Sequence, residues 1–121
     1  MKRILIIEDN ETNMYLIGFI LRKNKYKVIE ARTGEEGVEL ALKERPDLII
    51  MDIQLPGIDG LEATRRIRKS EIDGEIPIIA LTSYAMTGDN ERIHAAGCTG
   101  YIEKPINPDT IIGEIEKYIR R

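Results

Sequence analysis

The sequence predicts an α/β fold built around a parallel β-sheet, and three observations carry that prediction. Five short apolar runs, rich in β-branched residues, recur along the 121 residues. They are continuous rather than alternating, as expected of strands buried on both faces in a parallel sheet. Longer segments with helical punctuation lie between them, so the order reads strand then helix, five times over, with right-handed crossovers expected.

The first strand is Arg3–Ile7. In the helical segment that follows, seven of the eight residues Met14–Leu21 are apolar or aromatic, Gly18 being the exception. A helix on one side of a sheet needs one buried stripe, so either the surplus faces outward as a patch or the whole helix is deeply buried. The second strand is Lys27–Ala31, and Thr33-Gly34-Glu35-Glu36 after it resembles a capping box, in which first and fourth side chains satisfy each other's N–H groups. The third strand, Leu48–Met51, precedes a second such signature, Asp59-Gly60-Leu61-Glu62. The fourth strand is Ile76–Leu81, and Gly97 stands where a left-handed helix stop belongs. After the fifth strand, Gly100–Ile102, Asn107-Pro108 places a cap residue before a proline at the first helical position. The last helix carries Ile111, Ile112, Ile115, Tyr118 and Ile119, a one-face stripe at helical spacing.

Composition narrows the function classes. The chain is 42% apolar and 32% charged, which is globular, and its length suits one domain spanning residues 1–121. A net charge of −3, from 18 basic and 21 acidic residues, argues against nucleic-acid or anionic-membrane binding. Arg65-Arg66-Ile67-Arg68-Lys69 reads as a solvated helix face, His94 as a surface residue and the lone Cys98 as a small buried hydrophobe. With no signal peptide and no apolar stretch of membrane-spanning length, the expectation is a soluble, cytoplasmic protein.

In open parallel α/β folds ligands sit beyond the carboxyl ends of the strands. The residues there are Glu8-Asp9, Asp52, Thr82 and Glu103-Lys104-Pro105. Clustered carboxylates repel one another, and a divalent cation removes the conflict. Oxygen-only donors, with no second Cys and a distant His, argue for Mg²⁺ rather than Zn²⁺. A carboxylate held beside a cation and a Lys can attack phosphorus and become an acyl phosphate, with Thr82 and Lys104 contacting its oxygens. Any one of these residues alone would be an ordinary cap or surface group; together at the strand ends they mark a site.

These residues resemble, over the whole length, the receiver domain of two-component response regulators, of the single-domain chemotaxis-regulator or hybrid-kinase-receiver kind. The matching segments are Ile6-Ile7-Glu8-Asp9-Asn10, Asp47 through Gly57, Asp59-Gly60, Pro77 through Ser83, Gly97, and Tyr101-Ile102-Glu103-Lys104-Pro105. The resemblance implies a flavodoxin-like, doubly wound, five-stranded parallel sheet of order 2-1-3-4-5, with helices on both faces. It implies Asp52 as phosphoacceptor, with Mg²⁺ held by Asp9, Asp52 and the Gln54 carbonyl, and by Glu8 directly or through water. Thr82 and Tyr101 would form the switch, altering the surface of the fourth helix, fifth strand and fifth helix. Lys104 would bind phosphoryl oxygens, and the Lys104-Pro105 bond would be cis, a configuration essentially confined to proline. Gln54 and Tyr84 would tune phosphoryl lifetime, bulky Tyr84 shielding the acyl phosphate from water. Such a domain is a signalling switch rather than an enzyme, though it catalyses its own phosphorylation and slow dephosphorylation.

Two positions depart from the commonest family pattern. Glu8-Asp9 replaces a pair of aspartates, and Ser83 stands where Ala or Gly is frequent. With no phospho-histidine candidate in the chain, the donor must be a histidine kinase or a histidine phosphotransfer protein. Asn13, Met14 and their neighbours, beside Pro105, form the predicted docking patch for it. The downstream target is open, as is whether this is a stand-alone receiver or part of a longer protein. A haloacid-dehalogenase-like phosphohydrolase would need a second Asp as general acid where Gln54 stands. A flavodoxin-like cofactor binder would need a Ser/Thr/Gly-rich phosphate loop where Glu8-Asp9-Asn10 stands.

Overall fold

Five parallel strands form the sheet, in the order β2-β1-β3-β4-β5. The computed structural model describes residues 1–70, 76–83, 88 and 90–119. Its elements are β1 (Arg3–Ile7), α1 (Glu11–Lys23), β2 (Lys27–Ala31), α2 (Gly34–Glu44), β3 (Leu48–Asp52), α3 (Gly60–Ser70), β4 (Ile78–Thr82), α4 (Asn90–Ala96), β5 (Gly100–Glu103) and α5 (Ile111–Glu116). Among the described residues no helix is long and apolar enough to cross a membrane.

Successive strand residues face opposite sides of a sheet, and here both sides are apolar. Leu5, Ile7, Ile49, Met51, Ile78 and Ala80 pack with residues of α2, α3 and α4. Ile4, Ile6, Leu48, Ile50, Ile79 and Leu81 pack with residues of α1 and α5. The unbroken apolar runs are therefore the signature of two cores, one on each face of the sheet. Glycines let helices approach closely: a Cβ on Gly37 of α2 would lie 2.4 Å from Ile7 Cδ1.

The punctuation works, with local corrections. Thr33 and Asp59 accept from the N–H groups of Glu36 (3.0 Å) and Glu62 (2.8 Å). Neither box is reciprocal, because Glu36 accepts from the Arg32 N–H (2.8 Å) and Glu62 turns to Arg65 and Arg66. Asn107 accepts from the Asp109 N–H (2.9 Å), but regular helix begins only at Ile111, after a turn over 108–110. β4 starts at Ile78 rather than Ile76: Pro77 has no N–H to donate and enters the sheet through its carbonyl, which accepts from Ile49 (2.9 Å). β3 runs one residue further than expected, through Asp52, which pairs in register with Leu81.

Candidate phosphoacceptor site

Asp52 ends the central strand, and the neighbouring strand ends deliver the residues around it. Its side chain is only 2% exposed. Lys104 Nζ donates to Asp52 Oδ1 at 2.9 Å, its own side chain 18% exposed. The Gln54 N–H donates to the same oxygen at 3.2 Å. Parallel pairing of β4 with β5 sets Lys104 in place, since its N–H donates to the Thr82 carbonyl (2.8 Å). Thr82 is buried at the end of β4, opposite Glu103 in register. Tyr101 pairs with Ala80 and is half-buried against the core on the α2, α3 and α4 side. The Lys104–Pro105 peptide bond is cis.

The loop after β1 brings two more acids. Carboxylate oxygens of Glu8, Asp9 and Asp52 lie within 4.8 Å of one another. Glu8 is fully buried, whereas Asp9 is exposed. Burial, reinforced by the adjacent Asp52 carboxylate, pushes the Glu8 carboxyl up to about 7, against the pull of the Asn10 N–H and the Lys104 ammonium. Glu8 Oε2 accepts from the Asn10 N–H (3.1 Å), while Oε1 is buried and meets no hydrogen-bond donor among the described residues. A buried carboxylate with one oxygen unpaired, clustered with two more acids, fits a hard divalent cation such as Mg²⁺.

All of Glu8, Asp9, Asp52, Thr82 and Lys104 thus meet at one sheet edge, with exposed Gln54 on the loop beside them. Tyr84 lies outside the described residues. His94 is exposed and Cys98 is buried, its thiol pushed up by desolvation. One expectation needs correction. Met14 is 1% exposed and packs into the core with Ile17 and Leu21, so it cannot form a docking surface. The outward-facing surplus is real but falls on Tyr15 (73% exposed) and Phe19 (52%), whose rings stack at 6.3 Å, with half-buried Leu16 beside them. Asn13 and Leu16 line a cleft of about 420 Å³ together with Ser83, Lys104, Pro105 and Ile106.

Sequence reasoning assigned no role to two supporting residues, which it named only as part of longer segments. Asn10 joins the acids to α1, donating its N–H to Glu8 and accepting from the Asn13 N–H (2.9 Å) as helix cap; an Asn three residues before Asn13 is a readable cap signal. Gly60 opens α3 so close to β3 that a Cβ would sit 2.1 Å from the Asp52 carbonyl oxygen. Its place after the cap Asp59 is consistent with a close approach, whose partner is set by how α3 packs on β3.

The model of the response regulator receiver domain family matches residues 4–116. The polar-differentiation response regulator DivK of Brucella anthropi is 45% identical over 118 residues, 98% of this chain and 96% of that protein. The receiver domain of a sensor histidine kinase from Pseudomonas aeruginosa, with a magnesium ion coordinated in its active-site cleft, superimposes with a TM-score of 0.89 at 38% identity, covering 97% of this chain and 96% of that one. The chemotaxis response regulator CheY4 of Vibrio cholerae gives a TM-score of 0.93 at 28% identity, over 98% and 99% of the two chains. This chain belongs to the response regulator receiver domain family.

Proposed function

We propose that residues 1–121 act as one cytoplasmic phosphoacceptor switch, in which Asp52 takes a phosphoryl group from a phospho-histidine of a histidine kinase or phosphotransfer protein. The observation that carries this reading is the 2.9 Å contact of Lys104 with a buried Asp52 that faces two further carboxylates. Glu8, Asp9, Asp52 and the Gln54 carbonyl would hold Mg²⁺, which when bound supplies positive charge to the transferring oxygens. A carboxylate oxygen of Asp52 attacks phosphorus, the P–N bond to the donor imidazole breaks, and an acyl phosphate forms. Lys104 moves from Asp52 Oδ1 to a phosphoryl oxygen, keeping a charge-assisted bond throughout. The Thr82 hydroxyl binds another oxygen, and Tyr101 follows it inward, shifting the α4–β5–α5 surface between two states. Gln54, lacking an acidic proton, and Tyr84 would govern how long the phosphoryl group lasts.

The donor would dock along α1 beside the cleft, on Tyr15, Leu16 and Phe19, with Asn13 and Pro105 at the mouth of the site. The direct test is incubation with Mg²⁺ and acetyl phosphate. One phosphoryl mass increment is expected for the native chain and none for Asp52→Asn or in the presence of a chelator; an increment on Asp52→Asn would overturn the assignment.

A further inference from the structure

One face of α3 joins the end of the acceptor strand to the turn between α4 and β5. Residues 60, 64 and 68 recur every four positions and so lie along a single side of the helix. At its first residue Gly60 presses on the Asp52 carbonyl, as above, and its N–H donates to the Ile53 carbonyl (2.9 Å). One turn on, the buried Thr64 hydroxyl donates to the Gly60 carbonyl (2.8 Å) and lies 3.7 Å from the Cys98 thiol. At the far end Arg68 Nε donates to the Gly97 carbonyl (2.8 Å), and a terminal guanidinium nitrogen donates to the Thr99 hydroxyl (3.3 Å).

The turn that Arg68 grips is itself closed. Gly97 has a φ of +113°, and a side chain there would meet Arg68 Cγ at 2.7 Å. The N–H groups of Gly97 and Cys98 donate to the carbonyls of His94 (3.0 Å) and Ile93 (3.1 Å), the two bonds of a Schellman stop. Thr99 then binds Ile78 at the start of β4 in both directions. Its N–H donates to the Ile78 carbonyl (2.7 Å), and its hydroxyl accepts from the Ile78 N–H (3.1 Å).

We infer that α3 is a strut that fixes the C-terminal turn of α4 relative to Asp52, so that this turn is the pivot of the switching surface and Arg68 the residue that holds it. The inference rests on the phosphoacceptor reading of Asp52 and adds to it where the motion stops. Packed, hydrogen-bonded elements move as rigid pieces about a few fixed points rather than deforming continuously. A displacement that begins at Thr82 is then taken up before Gly97, and Tyr101 moves against a β5 whose first residues stay anchored.

Amide hydrogen exchange, read by NMR on the labelled chain with Mg²⁺ and beryllofluoride as phosphoryl mimic, tests this. In the native chain the mimic should shift the Thr82 and Tyr101 signals while Gly97, Cys98 and Thr99 keep their exchange rates within about twofold. Arg68→Met, which keeps the stem but removes the guanidinium, should speed free-state exchange at Cys98 and Thr99 about tenfold while sparing core amides such as Ile50. Beryllofluoride shifts should then spread into residues 97–99. Arg68→Lys, which retains the charge but not the planar fork, should act in the same direction and serves if the Met variant does not fold. The pivot is overturned if the mimic changes exchange across Gly97–Thr99 in the native chain. It is equally overturned if the variants leave that turn unaffected or loosen it no more than the core. A native chain whose spectrum ignores beryllofluoride altogether removes the phosphoacceptor reading and the pivot with it.

Discussion

Glu8 is fully buried, yet among the described residues one of its two carboxylate oxygens meets no donor. That cost has a pH signature. The folded carboxyl sits near 7, above its ordinary 4.5, so the metal-free fold binds this proton more readily than the unfolded chain does. The contribution is full below about pH 4.5 and is lost as pH rises through about 7. Urea unfolding in chelator should show this group removing about 2 kcal/mol between about pH 5 and about pH 8. Glu8→Gln should flatten that slope, and Mg²⁺ should restore stability to the native chain at the higher pH. An unchanged slope in Glu8→Gln would falsify the assignment. The acid itself is plain in the sequence as a strand-end residue. Its complete burial is not, because burial depends on how Asp52 and the start of α1 close over it.

At the scale of the element, α1 shows how far periodicity reaches. The excess of apolar residues over Met14–Leu21 is visible in the sequence, and an excess does face out. Which residues form it is set by the helix's rotation against the sheet, and that rotation turns Met14 inward and Tyr15 and Phe19 outward. The two classes should respond differently to substitution. Tyr15→Ala with Phe19→Ser should cut phosphotransfer from a phospho-histidine donor at least about tenfold, about 1.4 kcal/mol. The same pair should leave the acetyl phosphate rate unchanged and stability within about 0.5 kcal/mol of native. Equal rates in both transfer assays would rule out the docking surface. Met14→Glu, by contrast, buries a charge in the core and should destabilise the fold by several kcal/mol, roughly 3 or more. Helix starts follow the same division. Thr33, Asp59 and Asn107 are caps by residue type. Whether Glu36 or Glu62 returns to its own cap depends on neighbours, and here Arg32, Arg65 and Arg66 compete successfully for them.

For the whole molecule, the unbroken apolar strands imply that both faces of the sheet carry the fold. Ile49 and Ile50 are adjacent in β3, fully buried, and point into opposite cores. Ile49→Ala and Ile50→Ala should each cost about 2–5 kcal/mol in urea unfolding. A near-neutral effect at either would show that one face is dispensable. The sequence by itself determined the α/β class, the five strands, the parallel pairing and the acids, hydroxyl and amine at the strand ends. It could do so because burial on two faces, helix caps and strand termini are local patterns with a fixed period. Only the tertiary structure decided the depth of Glu8, the rotation of α1, the closeness of Gly60 to Asp52 and the grip of Arg68 on Gly97 and Thr99. Those features arise where elements distant in sequence meet, and their geometry is fixed by packing, which no local pattern encodes.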